Sequence, residues 1–351
     1  MLATPIVLEP ATVTVRKQAL VSDKAEIGDI DDALEQAKEQ VGIFKIRHGD
    51  AMWKDRVAHI DRKVHFNGAT TTPVSRAYFK LMEIIRTCAI RVSQRSLHLC
   101  EAPGGFAQAT MDDTNAREIL VTSRKCNGAP HFSPLILHSK RIDMMKDLPH
   151  SADLTMQAVR DEIVRMAQGS ELITADGAID NDAQPEIAEA MTATLICHEV
   201  DTALRAQAVG GTFVLKIFSM ALPITKECIA ILTRCYETVS IIKPFTSRVV
   251  NDERYIVCQN FRGPISLPTI PDRTPYVSSI AEVDPAWMKQ MDEIIHGLRV
   301  KQREAIRSAL TCTLPSASAS HRTSHPRRPG QKGGRGGPYP PRGQGRSSIP
   351  P

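Results

Sequence analysis

Four charged side chains stand where apolar ones would be expected. Lys216 lies inside Gly210-Gly211-Thr212-Phe213-Val214-Leu215-Lys216-Ile217-Phe218, which otherwise reads as a central buried strand. An ammonium group there is costly unless it is paired or used. Asp176 closes a second apolar run, Leu172-Ile173-Thr174-Ala175-Asp176-Gly177, at the strand-to-loop position where α/β enzymes keep catalytic groups. Glu253 precedes a third, Tyr255-Ile256-Val257-Cys258, and Lys80 sits in Tyr78-Phe79-Lys80-Leu81, within an expected helix. Each one alone reads as an end-of-element charge reaching for solvent. Taken together, two amines and two carboxylates are the groups that balance one another's charge and manage a proton.

The elements that must position them alternate between strand and helix. Leu97 and Leu99 mark an apolar strand that runs through Cys100-Glu101-Ala102 into Pro103-Gly104-Gly105 and then into a helix starting near Phe106. An α/β sheet builds a ligand site at its carboxyl edge in this way. Glycine admits close backbone approach where a Cβ would clash, and Pro103 fixes φ ahead of the pair. By itself the turn admits two readings, a nucleotide-like ligand or a tight connection. Ile187 to Val209 reads as the helix between the Asp176 and Lys216 strands, with Ala190, Ala193, Thr194, Cys197 and Leu204 near one face. Met191 and His198 read as packing residues of that helix.

On these residues the chain resembles the FtsJ-like (RrmJ-like) ribose 2′-O-methyltransferases, and within them the mRNA cap ribose methyltransferases. The matching segments are Ser75 to Leu81, Cys100 to Phe106, Thr174 to Gly177, Gly210 to Phe218, and Lys243-Pro244-Phe245-Thr246-Ser247-Arg248 through Asn251-Asp252-Glu253-Arg254-Tyr255. The resemblance implies a Rossmann-like α/β sandwich that uses S-adenosylmethionine. It carries a catalytic tetrad to Lys80, Asp176, Lys216 and Glu253, and cofactor contacts to Pro103, Gly104, Gly105, Phe106, Asp153 and Asp176. Many such folds end the second strand with an acid that holds the cofactor ribose; here Ile119-Leu120-Val121-Thr122-Ser123 ends without one. Asp153 matches the family's adenine-contacting acid by position, and it also reads as the N-cap of the following helix. A ribose hydroxyl is a poor nucleophile at neutral pH, so Lys216 can act as base only if its pKa falls well below roughly 10.4. Burial and the second cation at Lys80 are expected to push it that way. Base and stabiliser of a developing alkoxide are both open roles for it. No metal is implied.

Length and composition agree with one catalytic domain and flanks. The chain has 351 residues, 42% of them hydrophobic. Its eight cysteines show no Cys-x-x-Cys spacing and read as free thiols in a reducing compartment. Neither a signal peptide nor a membrane span is expected. Residues 1–70 form an N-terminal extension, with a strand at Val13 to Val15 and a helix from Asp31 to Val41. Residues 71–265 form the methyltransferase body, and 266–312 a helical extension opened by Asp284-Pro285 with a Trp287, Met291, Ile294, Ile295, Leu298 stripe. From Thr313 to Pro351 the composition collapses into Ser, Pro, Gly and Arg, the signature of a disordered tail. It carries seven cations (Arg322, Arg327, Arg328, Lys332, Arg335, Arg342, Arg346) and no acid, against a whole-chain net of +5, which leaves residues 1–312 at about −2. Such a tail binds RNA phosphates or merely solubilises.

The resulting expectation is methylation of the first transcribed nucleotides of capped mRNA. RNA is then the substrate, capping or transcription machinery the setting, and nucleus or cytoplasm the place, whether the protein is cellular or viral. A ribosomal or transfer RNA substrate, or an inactive RNA-binding module on the same fold, are the alternatives. An inactive scaffold has no need of Lys216 in a buried strand.

Overall fold

A computed structural model describes residues 3–28, 31–61, 72–125, 130–179 and 187–314. The strands are β1 (Ile6–Leu8), β2 (Val13–Ser22), β3 (Arg95–Leu99), β4 (Glu118–Val121), β5 (Ile142–Asp143), β6 (Ser170–Ala175), β7 (Gln207–Ile217), β8 (Tyr236–Ile242), β9 (Arg254–Phe261) and β10 (Tyr276–Val283). The helices are α1 (Asp32–His48), α2 (Asp50–Ile60), α3 (Ala77–Thr87), α4 (Gly105–Asp113), α5 (Pro134–Leu137), α6 (Gln157–Ala167), α7 (Ala188–Ala206), α8 (Pro223–Cys235) and α9 (Pro285–Thr311).

Eight strands make one sheet in the order β1-β8-β9-β7-β6-β3-β4-β5. The β7-β6-β3-β4-β5 half is parallel, as crossovers through helices require, and β9, β8 and β1 run antiparallel at the other side. Strands buried on both faces must be apolar throughout, and Phe213, Val214, Leu215 and Ile217 of β7 are all fully buried. Truncating Leu215 to alanine would cost about 2–5 kcal/mol. The chain moves from β3 outward to β4 and β5, then returns across β3 to β6 and β7. The crevice between β3 and β6 is therefore the topological switch point, where open α/β sheets bind ligands.

The flanking stretches are woven into this body. Strand β1 extends the sheet by pairing with β8, Ile6 opposite Ile241. Strand β2 pairs with β10 in a separate two-stranded sheet. Helix α1 starts as its sequence demands, with the Asp31 carboxylate accepting from the Leu34 N–H at 2.9 Å. Leu34, Trp53 and Val57 of α1 and α2 share a small core with Ile306 and Ala309 of α9 and with Val250. Asp284 caps α9 through the Ala286 N–H, and Trp287, Met291, Ile295 and Leu298 bury their stripe in the main core. Helix α7 ends at Ala206, three residues short of the expected Val209. Gln207 already pairs with Ser170 of β6, with a register shift before Leu172, so β7 starts earlier. The tail beyond Leu314 lies outside the described residues.

Candidate active site

The four charged residues converge at the carboxyl edge of the sheet beside the switch point. Ala175 of β6 pairs with Leu215 of β7, so Asp176 follows directly beside Lys216. Lys216 pairs with Tyr255 of β9, and Glu253 lies two residues before that tyrosine. Lys80 comes from α3. It forms an ion pair with Glu253, 2.8 Å from nitrogen to carboxylate. Lys216 Nζ stands 3.3 Å from Asp176 Oδ1 and donates to the Asp176 carbonyl at 3.3 Å. The result is two amine–carboxylate pairs, each side chain mostly buried. The wholly buried Tyr255 hydroxyl lies near both Glu253 and Asp176 but makes no well-aligned hydrogen bond to either. Among the described residues, no group of three or more His, Cys, Asp or Glu side chains could hold a metal ion.

The electrostatics correct one expectation. Burial does lower the Lys216 pKa, but its acidic neighbours, Asp176 and Glu253 foremost, hold the lysine above its ordinary value. Lys216 is an ammonium in the free protein. Burial pushes the Asp176 carboxyl up, and Lys216 and Lys80 recover only part of that rise. At Glu253 burial is overcome by Lys80, Lys216 and the Ser247 hydroxyl, and the carboxyl titrates low.

The lysine that burial does depress is Lys243, in the Lys-Pro-x-x-Ser-Arg segment. It falls to about 7 through burial and the neighbouring Arg254 guanidinium, with Glu253 and Asp252 opposing. Its ammonium donates to the carbonyls of Asn251 (2.7 Å) and Glu253 (2.8 Å), and to the Ser247 hydroxyl (3.3 Å). Ser247 in turn donates to Glu253 Oε1 at 2.9 Å. Lys243 thus holds the loop that presents Glu253. Its position in the motif was visible in the sequence; its partners, eight and ten residues on, were not.

The glycine turn is real, but its reason differs from the one expected. Gly104 has φ +111°, which favours glycine, and a Cβ there would strike the Ile136 side chain. A Cβ on Gly105 would strike Ser75 Oγ and come within 2.9 Å of the Tyr78 amide. The protein's own packing therefore demands both glycines, and close approach of a ligand is not needed to explain them. Phe106 is fully buried, its ring 5.9 Å from that of Tyr255, and forms the floor of the turn. The carboxylate of Glu101 accepts from the Ala107 N–H at 2.8 Å and also faces the Phe106 N–H. A buried acid thus occupies the start of α4, where a dinucleotide fold would hold pyrophosphate. Burial raises the Glu101 carboxyl well above its ordinary range, and the amides it accepts from are withheld from a phosphate.

Asp153 is not the cap of α6, whose N-cap is Met156. Its Oδ1 accepts from the amide (3.0 Å) and hydroxyl (2.8 Å) of Thr155, and its Oδ2 pairs with Arg124 at 3.2 Å. Arg124 and Ala152 help to line a cavity of about 610 Å³ beyond the ends of β4 and β5, with Thr122, Ser123, Phe132 and Met145. A larger one, about 680 Å³, lies at the amino ends of the strands between Ile90 and Gly211 and touches none of the four residues. The smaller cavity is the relevant one, because it shares the sheet edge with the charged cluster. A third cleft of about 410 Å³ joins Trp53 and Lys54 of α2 to Arg76, Arg248 and Asn251, next to Lys80 and Glu253. His198 packs as expected, wholly buried, and burial lowers its pKa to about 3.

Known proteins resemble this chain in sequence. The chain is 28% identical over 260 residues to a cap-specific mRNA (nucleoside-2′-O-)-methyltransferase 2 of Drosophila melanogaster, covering 66% of this chain and 37% of that protein. A cap-specific mRNA (nucleoside-2′-O-)-methyltransferase 1 of Trypanosoma brucei brucei is 27% identical over 179 residues, 47% of this chain and 46% of its own length. The chain thus spans less than half of either relative. A ribosomal RNA methyltransferase structure from Plasmodium falciparum superposes with a TM-score of 0.43 at 17% identity, over 54% of this chain and 98% of that one. Residues 73–261, more than half of the chain and the stretch that holds all four charged residues, match the model of the FtsJ-like methyltransferases. The chain belongs to the FtsJ-like methyltransferase family.

Proposed function

We propose that this protein is an S-adenosylmethionine-dependent RNA ribose 2′-O-methyltransferase acting on the first transcribed nucleotides of capped mRNA. The observation that carries the reading is the pair of lysine–carboxylate contacts beside the sheet's switch point, on the same carboxyl edge as the cavity lined by Thr122, Ser123 and Arg124. S-adenosylmethionine fits that edge. Pro103, Gly104, Gly105 and Phe106 would build the turn beneath it, Asp153 would stand on its adenosine side, and Asp176 at its reactive end. When bound, it supplies an activated methyl group and a positive charge.

The protein's residues then have two tasks, alignment and proton handling. Lys80 and Glu253 form the fixed pair, braced by Ser247 and Lys243, and hold the ribose hydroxyl in line. Lys216 carries a proton in the free protein, and a cation beside it lowers its hold on that proton. In its neutral form it accepts the hydroxyl proton as the oxygen gains its methyl group. Asp176 keeps the resulting ammonium in place. The cleft between α2 and the Arg76–Arg248 side offers a path for the RNA strand, and the basic tail adds phosphate contacts. Nucleus or cytoplasm, wherever capping and transcription machinery work, is the setting for such a substrate. Among the described residues, no helix is long and apolar enough to cross a membrane.

The test is methyl transfer from labelled S-adenosylmethionine to two RNAs of one sequence, one capped and one not. Transfer to the 2′ position of the capped RNA alone is expected. Equal transfer to both would move the substrate to ribosomal or transfer RNA. No transfer to either, with cofactor bound, would make the fold a binding module.

A further inference from the structure

Beneath the Asp176–Gly177 turn lies a carboxyl group that the reaction above does not use. Glu199, in α7, is 1% exposed. Its Oε1 presses against Gly177 so closely that a Cβ on that glycine would collide with it. The Cys100 thiol, just past β3, and the Gly177 N–H both face it. Neither is aligned well enough to satisfy it, and both carboxyl oxygens are left without a proper hydrogen-bond partner. An ionised carboxylate so placed is expensive, because nothing replaces the water it has lost.

Three groups on three strands surround this carboxyl: Cys100 after β3, Asp176 after β6 and Lys216 on β7. Burial is the strongest influence. The Cys100 thiol is the strongest group favouring the charged form, Lys216 favours it next, and Asp176 opposes it. The group is pushed up to about 8 and is neutral at ordinary pH.

We propose that Glu199 is a positioning residue which must stay neutral for Lys216 to release its proton. A neutral Glu199 leaves Asp176 as the carboxylate nearest to Lys216. An ionised Glu199 adds a second negative charge, tightens the lysine's hold on its proton and slows transfer. Glu199 touches neither substrate nor cofactor and acts only through Lys216. The inference rests on the methyl-transfer reading above.

The full chain is assayed in single turnovers with saturating capped RNA and S-adenosylmethionine between about pH 6.5 and 9.5. The logarithm of the wild-type rate should climb with pH and bend near pH 8. Glu199→Gln, neutral at every pH, should climb without that bend. A bend that persists in this variant overturns the proposal. So does a folded Glu199→Gln that transfers no methyl group, since a neutral side chain is all that is required. Cys100→Ser covers the case in which the glutamine variant does not fold. A hydroxyl donates to a carboxylate better than a thiol, so the bend should move down by about one pH unit; an unmoved bend overturns the proposal. Protonation is also read without turnover, by infrared difference between wild-type and Glu199→Gln protein at neutral pH. A missing protonated-carboxyl band refutes the proposal even if the methyl-transfer reading has failed.

Discussion

Two lysines stand at the carboxyl edge of the sheet, one on β7 and one just past β8, and their surroundings drive them in opposite directions. Lys216 faces carboxylates, Asp176 at 3.3 Å and Glu253 beyond it, and its pKa rises despite burial. Lys243 faces two backbone carbonyls and a hydroxyl, with Arg254 as the strongest charge beside it, and falls to about 7. Both are largely buried, so burial alone does not decide. Carbonyl dipoles hold an ammonium in position but compensate its lost hydration less well than a full negative charge does. The two lysines therefore have different work. Lys216 carries a proton that can be exchanged with a substrate, and Lys243 fastens the loop that carries Glu253.

The largest expected effect comes from Lys216→Ala. Removing the proton-handling group should lower single-turnover methyl transfer by about 10²–10⁴, while S-adenosylmethionine affinity stays within a few-fold. Lys216→Arg should lose about as much, since guanidinium does not give up its proton. Substantial turnover by the arginine variant would mean that the ammonium acts by its charge and that the proton leaves another way.

Lys243→Met comes next. The loop from Asn251 to Glu253 would lose its anchor, and the Lys80–Glu253 pair would drift. A misplacement of about 1 Å can cost roughly 10²-fold, so a loss of about 10–100-fold in kcat is expected, with KM for RNA little changed. A defect as deep as that of Lys216→Ala would erase the contrast and place Lys243 in the chemistry itself.

The contrast was only half legible in the sequence. Lys216 and Asp176 stood out because a charge inside or closing an apolar run is a local anomaly, and locality is what a sequence displays. The alternation of strand and helix from Leu97 to Cys258 was legible for the same reason, and so was the capped start of α9. Lys243 was visible only as a motif letter, because its partners are carbonyls that an irregular loop brings back to it. Tyr255 read as one more apolar strand residue, and nothing but the β7–β9 register places its hydroxyl between two acids. Glu199 disappeared into the polar letters of a helix. The glycines were read as room for a ligand's close approach, whereas a Cβ on them would strike Ser75, Tyr78 and Ile136, all distant in sequence. Strand β1 meets β8 over more than 230 residues, a pairing that no local pattern encodes.

The smallest effect separates the two lysines most cleanly, because it needs neither substrate nor cofactor. Lys243 titrates near 7 in the folded chain against 10.5 for an ordinary lysine. Between those values the unfolded chain binds the extra proton, so stability rises with pH across the window and is lost again as pH falls toward 7. The slope from this group is at most about 1.4 kcal/mol per pH unit, less whatever water reaches the amine. Lys216, raised above 10.5, binds its proton in both states over the same range and contributes no slope there. Its stabilising contribution is lost only at higher pH, as the folded-state pKa is passed. Urea unfolding from about pH 7 to 10 should therefore show one component of the slope vanish in Lys243→Met and remain in Lys216→Met. If both variants keep the wild-type slope, Lys243 is charged in the folded chain at neutral pH, and the carbonyls around it stabilise an ammonium as well as the carboxylates around Lys216 do.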